Sequence, residues 1–184
     1  MKTKKLTLSI FGMILAGVAF GQDTNTDNHT VTVSVPAFAI MDIEPAASKD
    51  ITLGFTKPNE AGSPLVAPTN SSLYLNYTCI VDATNATRKI SVKLSTPISG
   101  VELSVQAAAA TGTGAGNRGT VTGNPVLLTA TDQDLITGIG SSYTGDGVSN
   151  GHQLTYTAAI PASNYTTLIS GSHSTTVTYT ISTN

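Results

Sequence analysis

The sequence has no tryptophan and one cysteine, and only 11% of its 184 residues are charged. Each shortage removes a class of function. Without tryptophan, and with aromatics at 5%, a stacking platform for sugar rings would have to be built from tyrosine. A lone cysteine, Cys79, permits no disulfide within the chain, even in an oxidising compartment. Nine Lys and Arg residues against 11 Asp and Glu supply no basic stripe for a phosphate backbone, so nucleic acid is not an expected partner. Also lacking is any convincing amphipathic helix. Neither a GxSxG nucleophile elbow nor an HExxH zinc helix occurs.

What is present begins with an export signal. Lys2, Lys4 and Lys5 precede an apolar run from Leu6 to Phe20, and the small residues Ala19 and Gly21 suit a cleavage before Gln22. The apolar run is short for a membrane span, and no cysteine stands at the cleavage point to take a lipid. The expected organisation is a signal peptide over 1–21, a flexible polar leader over 22–28 and a single domain over 29–184. Cleavage removes three lysines and leaves 6 basic residues against 11 acidic ones, a net charge of −5. The mature chain is expected outside the cytoplasm, in the periplasm, at the cell surface or in the medium, with no membrane span.

The rest of the sequence alternates apolar residues with threonine or serine. Thirty threonines and 18 serines fit solvated strand faces, where a branched Cβ suits the pleat. Val31, Val33 and Val35 alternate ahead of Pro36, and Phe38 and Ile40 continue beyond it. Further sets are Ile51, Leu53 and Phe55; Leu73, Leu75, Tyr77, Cys79 and Val81; Ile90, Val92 and Leu94; and Val101, Leu103 and Val105. Leu154, Tyr156, Ala158 and Ile160, then Val177, Tyr179 and Ile181, make two strands joined by a turn at the C-terminal end. A period of two puts each set on one strand face. Residues 73–81 are the expected central strand, with Cys79 a small buried hydrophobe. Residues 107–123 read as a mobile hairpin tip, because glycines follow four alanines and each costs about 1 kcal/mol in a helix interior. Residues 140–152 read as a loop. Eight to ten short strands at this spacing predict an all-β fold, an antiparallel β-sandwich of immunoglobulin-like or Greek-key type.

Candidate chemistry is sparse. Gly114, Gly116 and Gly119 match GxGxxG by letter, but a strand and loop follow where a dinucleotide site needs a helix. Asp132, Asp134, Asp146 and Asn150 carry the oxygen ligands calcium prefers, at a spacing that matches no EF-hand and reads better as surface turns. His29, His152 and His173 read as solvated turn residues, with no nucleophile placed to make a triad. Tyr77, Tyr156 and Tyr179 fall on core faces, which leaves Tyr74, Tyr143 and Tyr165 as candidate ligand contacts. No catalytic residue, metal site or cofactor is expected.

Three blocks carry a resemblance: His29-Thr-Val-Thr-Val-Ser-Val-Pro36, Ile51-Thr-Leu-Gly-Phe55 and Thr176-Val-Thr-Tyr-Thr-Ile-Ser182. With residues 136–152, they resemble small exported proteins of Gram-negative bacteria that remain uncharacterised. More distantly, the layout is similar to spore coat protein U and pilin-like sandwiches, which end in a comparable Thr-rich strand. Members of that class usually carry paired cysteines, and Cys79 is alone. The resemblance implies a fold and a compartment, and no activity.

The function expected from all this is a non-enzymatic structural or adhesion-type protein, partnered by itself or by other surface proteins. The alternative is a secreted module that binds a glycan or another small ligand. Mass spectrometry of exported protein should find its N-terminus at or within a few residues of Gln22; an intact Met1 on exported material would overturn the export reading.

Overall fold

In a computed structural model of the protein, residues 25–184 are described, so the expected signal peptide lies outside the described residues. The chain divides between Ser34 and Val35. Residues 25–34, the described part of the first unit, contain no strand or helix. The second unit carries nine strands: β1 (Phe38–Glu44), β2 (Thr69–Ile80), β3 (Arg88–Leu94), β4 (Glu102–Ala107), β5 (Ala115–Val121), β6 (Val126–Leu127), β7 (Gln133–Tyr143), β8 (His152–Ala159) and β9 (Val177–Thr183). Two short 3-10 helices, Ala46–Ser48 and Ala162–Thr167, complete it.

Every ladder is antiparallel. β1 runs along one edge of β2, from Glu44 opposite Tyr74 to Phe38 opposite Ile80. The other edge of β2 is shared between β8, which pairs with it from Thr69 to Leu75, and β7, which meets it at Thr78 and Cys79. β7 is shared in the same way, with β5 on one edge and β3 followed by β2 on the other. Two layers result, β1-β2-β8-β4-β6 and β5-β7-β3-β9, joined where β2 meets β7. The all-β antiparallel sandwich expected from the alternation is the observed architecture.

The core lies between the layers. The inner face of β2 is the one its period predicts, with Leu73, Leu75, Tyr77 and Cys79 all buried. They form one cluster with Ile90 and Val92 of β3, Leu135 and Ile139 of β7 and Leu154 of β8. Burying a large apolar side chain of this kind contributes about 1.5–3 kcal/mol, so β2 and its facing strands hold much of the stability.

The structure departs from the sequence reading at several segments. Residues 29–35 form no strand, and Val31 and Val33 are 72% and 80% exposed. Residues 51–55 are also irregular, although Ile51 and Leu53 still pack against the core. Both segments carry the period-two pattern but no ladder. A pattern specifies a face; a strand also needs a partner for its backbone. The segment read as a mobile tip instead contains β5, which pairs with β7 from Ala115 to Val121. Glycine makes that pairing possible. Gly116 sits at φ 84° and its missing Cβ would collide with the Ser141 carbonyl oxygen, so the GxGxxG letters mark a close backbone approach in a sheet. β7 likewise extends through the start of the expected loop to Tyr143. The two C-terminal strands are both present, yet they lie in different layers, β8 beside β2 and β4, and β9 beside β3.

Cys79 is fully buried, and that burial pushes its thiol pKa up against the pull of the nearby Arg88 guanidinium. A thiol reagent should label it only after denaturation. Cys79→Ser should cost about 1–3 kcal/mol by burying a poorly satisfied hydroxyl, measurable as a drop in the urea midpoint; rapid labelling of native protein would contradict the packing.

Candidate functional site

A groove of about 1260 Å³ opens on the domain, and two of the strands in its walls, β1 and β9, lack a ladder partner on one side. β1 contributes Met41 and Ile43, β9 contributes Val177 and Tyr179, and β4 and β8 supply Leu103, Tyr156 and Ala158. Segments 49–55 and 168–176 frame it. These strand positions are the inward set of each strand's alternation; the rest of the lining is mixed, with Asp42, Lys49, Asp50 and His173 among it.

The direction of the backbone groups along these edges follows from a few hydrogen bonds. Ser95 donates its N–H to Thr176 O at 2.9 Å, and Asn184 donates to Thr87 O at 3.4 Å. In an antiparallel ladder the two groups of a residue point to the same side and alternate along the strand. Thr176, Thr178, Thr180, Ser182 and Asn184 therefore face β3, and Val177, Tyr179 and Ile181 direct their N–H and C=O to the free edge. The same counting applies to β1. Thr144 donates to Tyr77 O at 3.0 Å, so from Leu73 onward, past a register shift, the odd residues of β2 face β8 and β7 and its even residues face β1. Ala39, Met41 and Ile43 then point their backbone groups away from β2. Ile43 N–H is met by its neighbour's side chain, Asp42 Oδ1, at 2.7 Å, as expected where no ladder strand takes it.

One polar contact crosses the groove wall. Tyr156 of β8 and Tyr179 of β9 meet hydroxyl to hydroxyl at 2.5 Å. Burial raises the pKa of both, so both stay neutral in ordinary buffers. At the rim, His173 is exposed, with Nε2 3.1 Å from Ile169 O.

A second polar cluster is buried in the sandwich, and it corrects the sequence reading of the histidines. His152, taken as a solvated turn residue, is 1% exposed and stacks on Tyr77 with ring centroids 5.7 Å apart. Its Nδ1 is 2.8 Å from Ala108 O, and its Nε2 is 3.1 Å from Tyr77 Oη. Tyr77 Oη donates in turn to Arg118 O at 2.5 Å. A carbonyl cannot donate, so Nδ1 carries the proton of the neutral ring. The hydroxyl proton is already spent on Arg118 O, which leaves the longest contact, Nε2 to Oη, without one. Desolvation lowers the His152 pKa despite the favourable contact with Ala108 O, so the ring stays neutral. This cluster ties β2, β8, the residue after β4 and the middle of β5 together, and lies among core residues. The signal that could have found it is Gly151: φ is 71° there and a Cβ would strike Leu75 O, so the chain turns inward just before His152.

The candidate ligand contacts are not assembled into one site. Tyr143 is 49% exposed at the end of β7 and lines a small pocket of about 290 Å³ with Asp42, Asn76 and Asp146. Tyr74 is half-buried on β2 between Glu44 and Gln153. Tyr165 lies on the second 3-10 helix, where its hydroxyl accepts Leu65 N–H at 3.0 Å. Neither the groove nor the small pocket holds two of the three. The four oxygen-bearing residues also separate. Asp132 pairs with Lys93 and Asp134 with Lys89 on the β3–β7 face, whereas Asn150 braces the next loop through Asp146 O and Thr113 N–H. Among the described residues no group of three or more His, Cys, Asp or Glu is placed to hold a metal ion, and no helix is long and apolar enough to cross a membrane.

Compared with known proteins, the chain matches no family model and no curated protein.

The buried groups set a pH profile. The His152 pKa is below its unfolded value near 6.5, so the unfolded chain takes up a proton first as pH falls. Stability from this residue is therefore present above about pH 6.5 and declines below it. Tyr156 and Tyr179 are raised, so their contribution is present below about pH 10 and lost as pH rises beyond it. Urea midpoints should be flat between these limits and fall on both sides. His152→Gln should lower the plateau and flatten the limb just below about pH 6.5; an unchanged acid limb would place the titration elsewhere.

Proposed function

We propose that the protein is a non-enzymatic structural component of an exported assembly, at the cell surface or outside the cell, whose chains join edge to edge. The observation that carries this reading is the groove, where two strands with unladdered edges bring Met41, Ile43, Val177 and Tyr179 to a lining open to solvent. Soluble monomers usually blunt such edges with lysine, proline or a bulge, because free N–H and C=O groups template pairing with another chain. β9 has no charge and no proline from Val177 to Thr183. Its ladder with β3 is unbroken over seven residues. An apolar groove beside such an edge offers both requirements of strand addition, main-chain hydrogen bonds and pockets for alternate side chains.

The second reading is a binding module for a glycan or another small ligand. It is favoured by the small pocket in which exposed Tyr143 stands beside Asp42 and Asp146, a ring face next to hydrogen-bonding acceptors. Sedimentation of the chain from Gln22 onward over a wide concentration series separates the two. Growth in mass with concentration is the result expected for assembly. A strict monomer at every concentration would overturn that reading, and a monomer that binds on a glycan array through Tyr143, with loss of signal in Tyr143→Ala, would establish the second.

A further inference from the structure

The small pocket beside Tyr143 has a polarity that selects its ligand. We propose that it binds a small primary alkylammonium ligand, with the stem along Ile40 and Tyr143 and the charged end held by Asp42 and Asp146. This rests on the binding-module reading above and names the ligand class of that site.

The pocket is built on the outer face where β1, β2 and β7 run side by side. Ile40 stands opposite Thr78, and Thr78 opposite Tyr143. One rung therefore crosses three strands, with an aliphatic side chain 63% exposed at one end and a ring 49% exposed at the other. The next rung on the same face pairs Asp42 with Asn76. Because β7 is antiparallel to β2, the chain beyond Tyr143 passes toward Asn76, which donates Nδ2 to Gly147 O at 2.9 Å. Asp146, one residue earlier, is thereby brought to the acidic rung and joins the lining. That placement is fixed in advance. Asn150 donates Nδ2 to Asp146 O at 2.7 Å and accepts Thr113 N–H at 3.1 Å, so the loop is braced before a ligand arrives.

The charge of the pocket is uncompensated. It contains two carboxylates, and no Lys, Arg or His lines it. Asp132 and Asp134 each have a lysine, but Asp42 meets only the Ile43 N–H, at 2.7 Å. The Asp146 carboxylate has no hydrogen bond or ion pair among the described residues. At the floor Asn76 is 5% exposed, and its Oδ1 has no donor. A buried amide oxygen in that state adds its own negative partial charge and calls for an explanation. A cation in the pocket answers all three groups.

The apolar rung decides which cation. Calcium takes six or more oxygens, and among the described residues no third His, Cys, Asp or Glu joins these two to hold a metal. An alkylammonium uses both rungs. Its methylenes cover Ile40 while its head stays with the carboxylates, and the tyrosine ring attracts the cation through its π face. A volume of about 290 Å³ lies at the lower edge of ligand pockets, enough for one short chain.

NMR titration of the chain from Gln22 onward tests this with four probes: pentylamine, Nα-acetyl-lysine methylamide, 1-pentanol and calcium chloride. Both amines should shift the amide signals of Thr78, Gly145 and Asp146, and added salt should weaken them. The stronger of the two identifies the source, a free amine or a lysine of another protein. Asp42→Asn with Asp146→Asn keeps the oxygen that accepts Ile43 N–H and should weaken amine binding at least about tenfold. Tyr143→Leu should weaken it about twofold to fivefold. No response to either amine would overturn the proposal, as would equal shifts with pentanol, calcium binding that excludes the amines, or unchanged affinity in the double variant. If the amines fail but a glycan binds and Tyr143→Ala abolishes it, this proposal is wrong while the binding-module reading stands. If neither amine nor glycan binds, both are wrong.

Discussion

The structure depends on β2 having both edges occupied over most of its length. Twelve residues long, from Leu73 onward it offers its even-numbered backbone groups to β1 and its odd-numbered groups first to β8 and then to β7. A strand shared in this way cannot belong to one layer only. The switch from β8 to β7 along one edge forces the two layers to part company below the seam and to face each other across the side chains of Leu73, Leu75 and Tyr77. A buried backbone group left without a partner costs about as much as a lost hydrogen bond. The seam satisfies these groups over the most deeply buried stretch, and Thr144 extends it by bonding Tyr77 through both its main chain and its hydroxyl.

Joining the layers at one side leaves the other side to be managed differently. β1 and β9 are the strands that face the groove with an edge unladdered, and what lies between them is irregular chain and open volume. Residues 49–55 cover part of it, with Ile51 and Leu53 on the core. The Tyr156–Tyr179 contact spans the layers at the floor. Two neutral hydroxyls held by burial form a link that tolerates an apolar neighbour above it, where an ion pair would have needed water or further donors.

How much of this was legible in the sequence depended on whether a residue's fate is set locally or by its partner. The inward face of β2 followed from Leu73, Leu75, Tyr77 and Cys79 alone, and so did the sets in β3, β4, β8 and β9, because a period of two fixes a face without knowledge of the neighbour. The sandwich class came from the same counting. Partner choice was invisible. Residues 29–35 and 51–55 carry the same pattern as β9, but no ladder forms on them, and β8 and β9, adjacent in sequence, belong to different layers. Glycine hid β5, since low intrinsic preference reads as a loop unless one knows that another backbone presses where each Cβ would be. His152 was misplaced for a related reason. A histidine after Asn150 and Gly151 looks like a turn residue until the stacking on Tyr77 shows that the turn points inward.

The candidate site was less legible than the fold, because it is made of unsatisfied backbone and not of distinctive side chains. Tyrosines were the natural residues to single out for ligand contact, yet Tyr74, Tyr143 and Tyr165 lie apart. What the groove presents is a row of amide groups on Val177, Tyr179 and Ile181, identical in chemistry to those of any strand and special only because no strand is laddered to them. Side-chain identity enters at one remove, through the residues that are missing: no lysine, proline or charge interrupts β9. The sparseness of charge that offered no basic stripe in the sequence also leaves this edge without a lysine or carboxylate. In this chain, low charge and abundant threonine leave strand faces and edges that differ little in chemistry from one another, which is why partner choice could not be read from side chains.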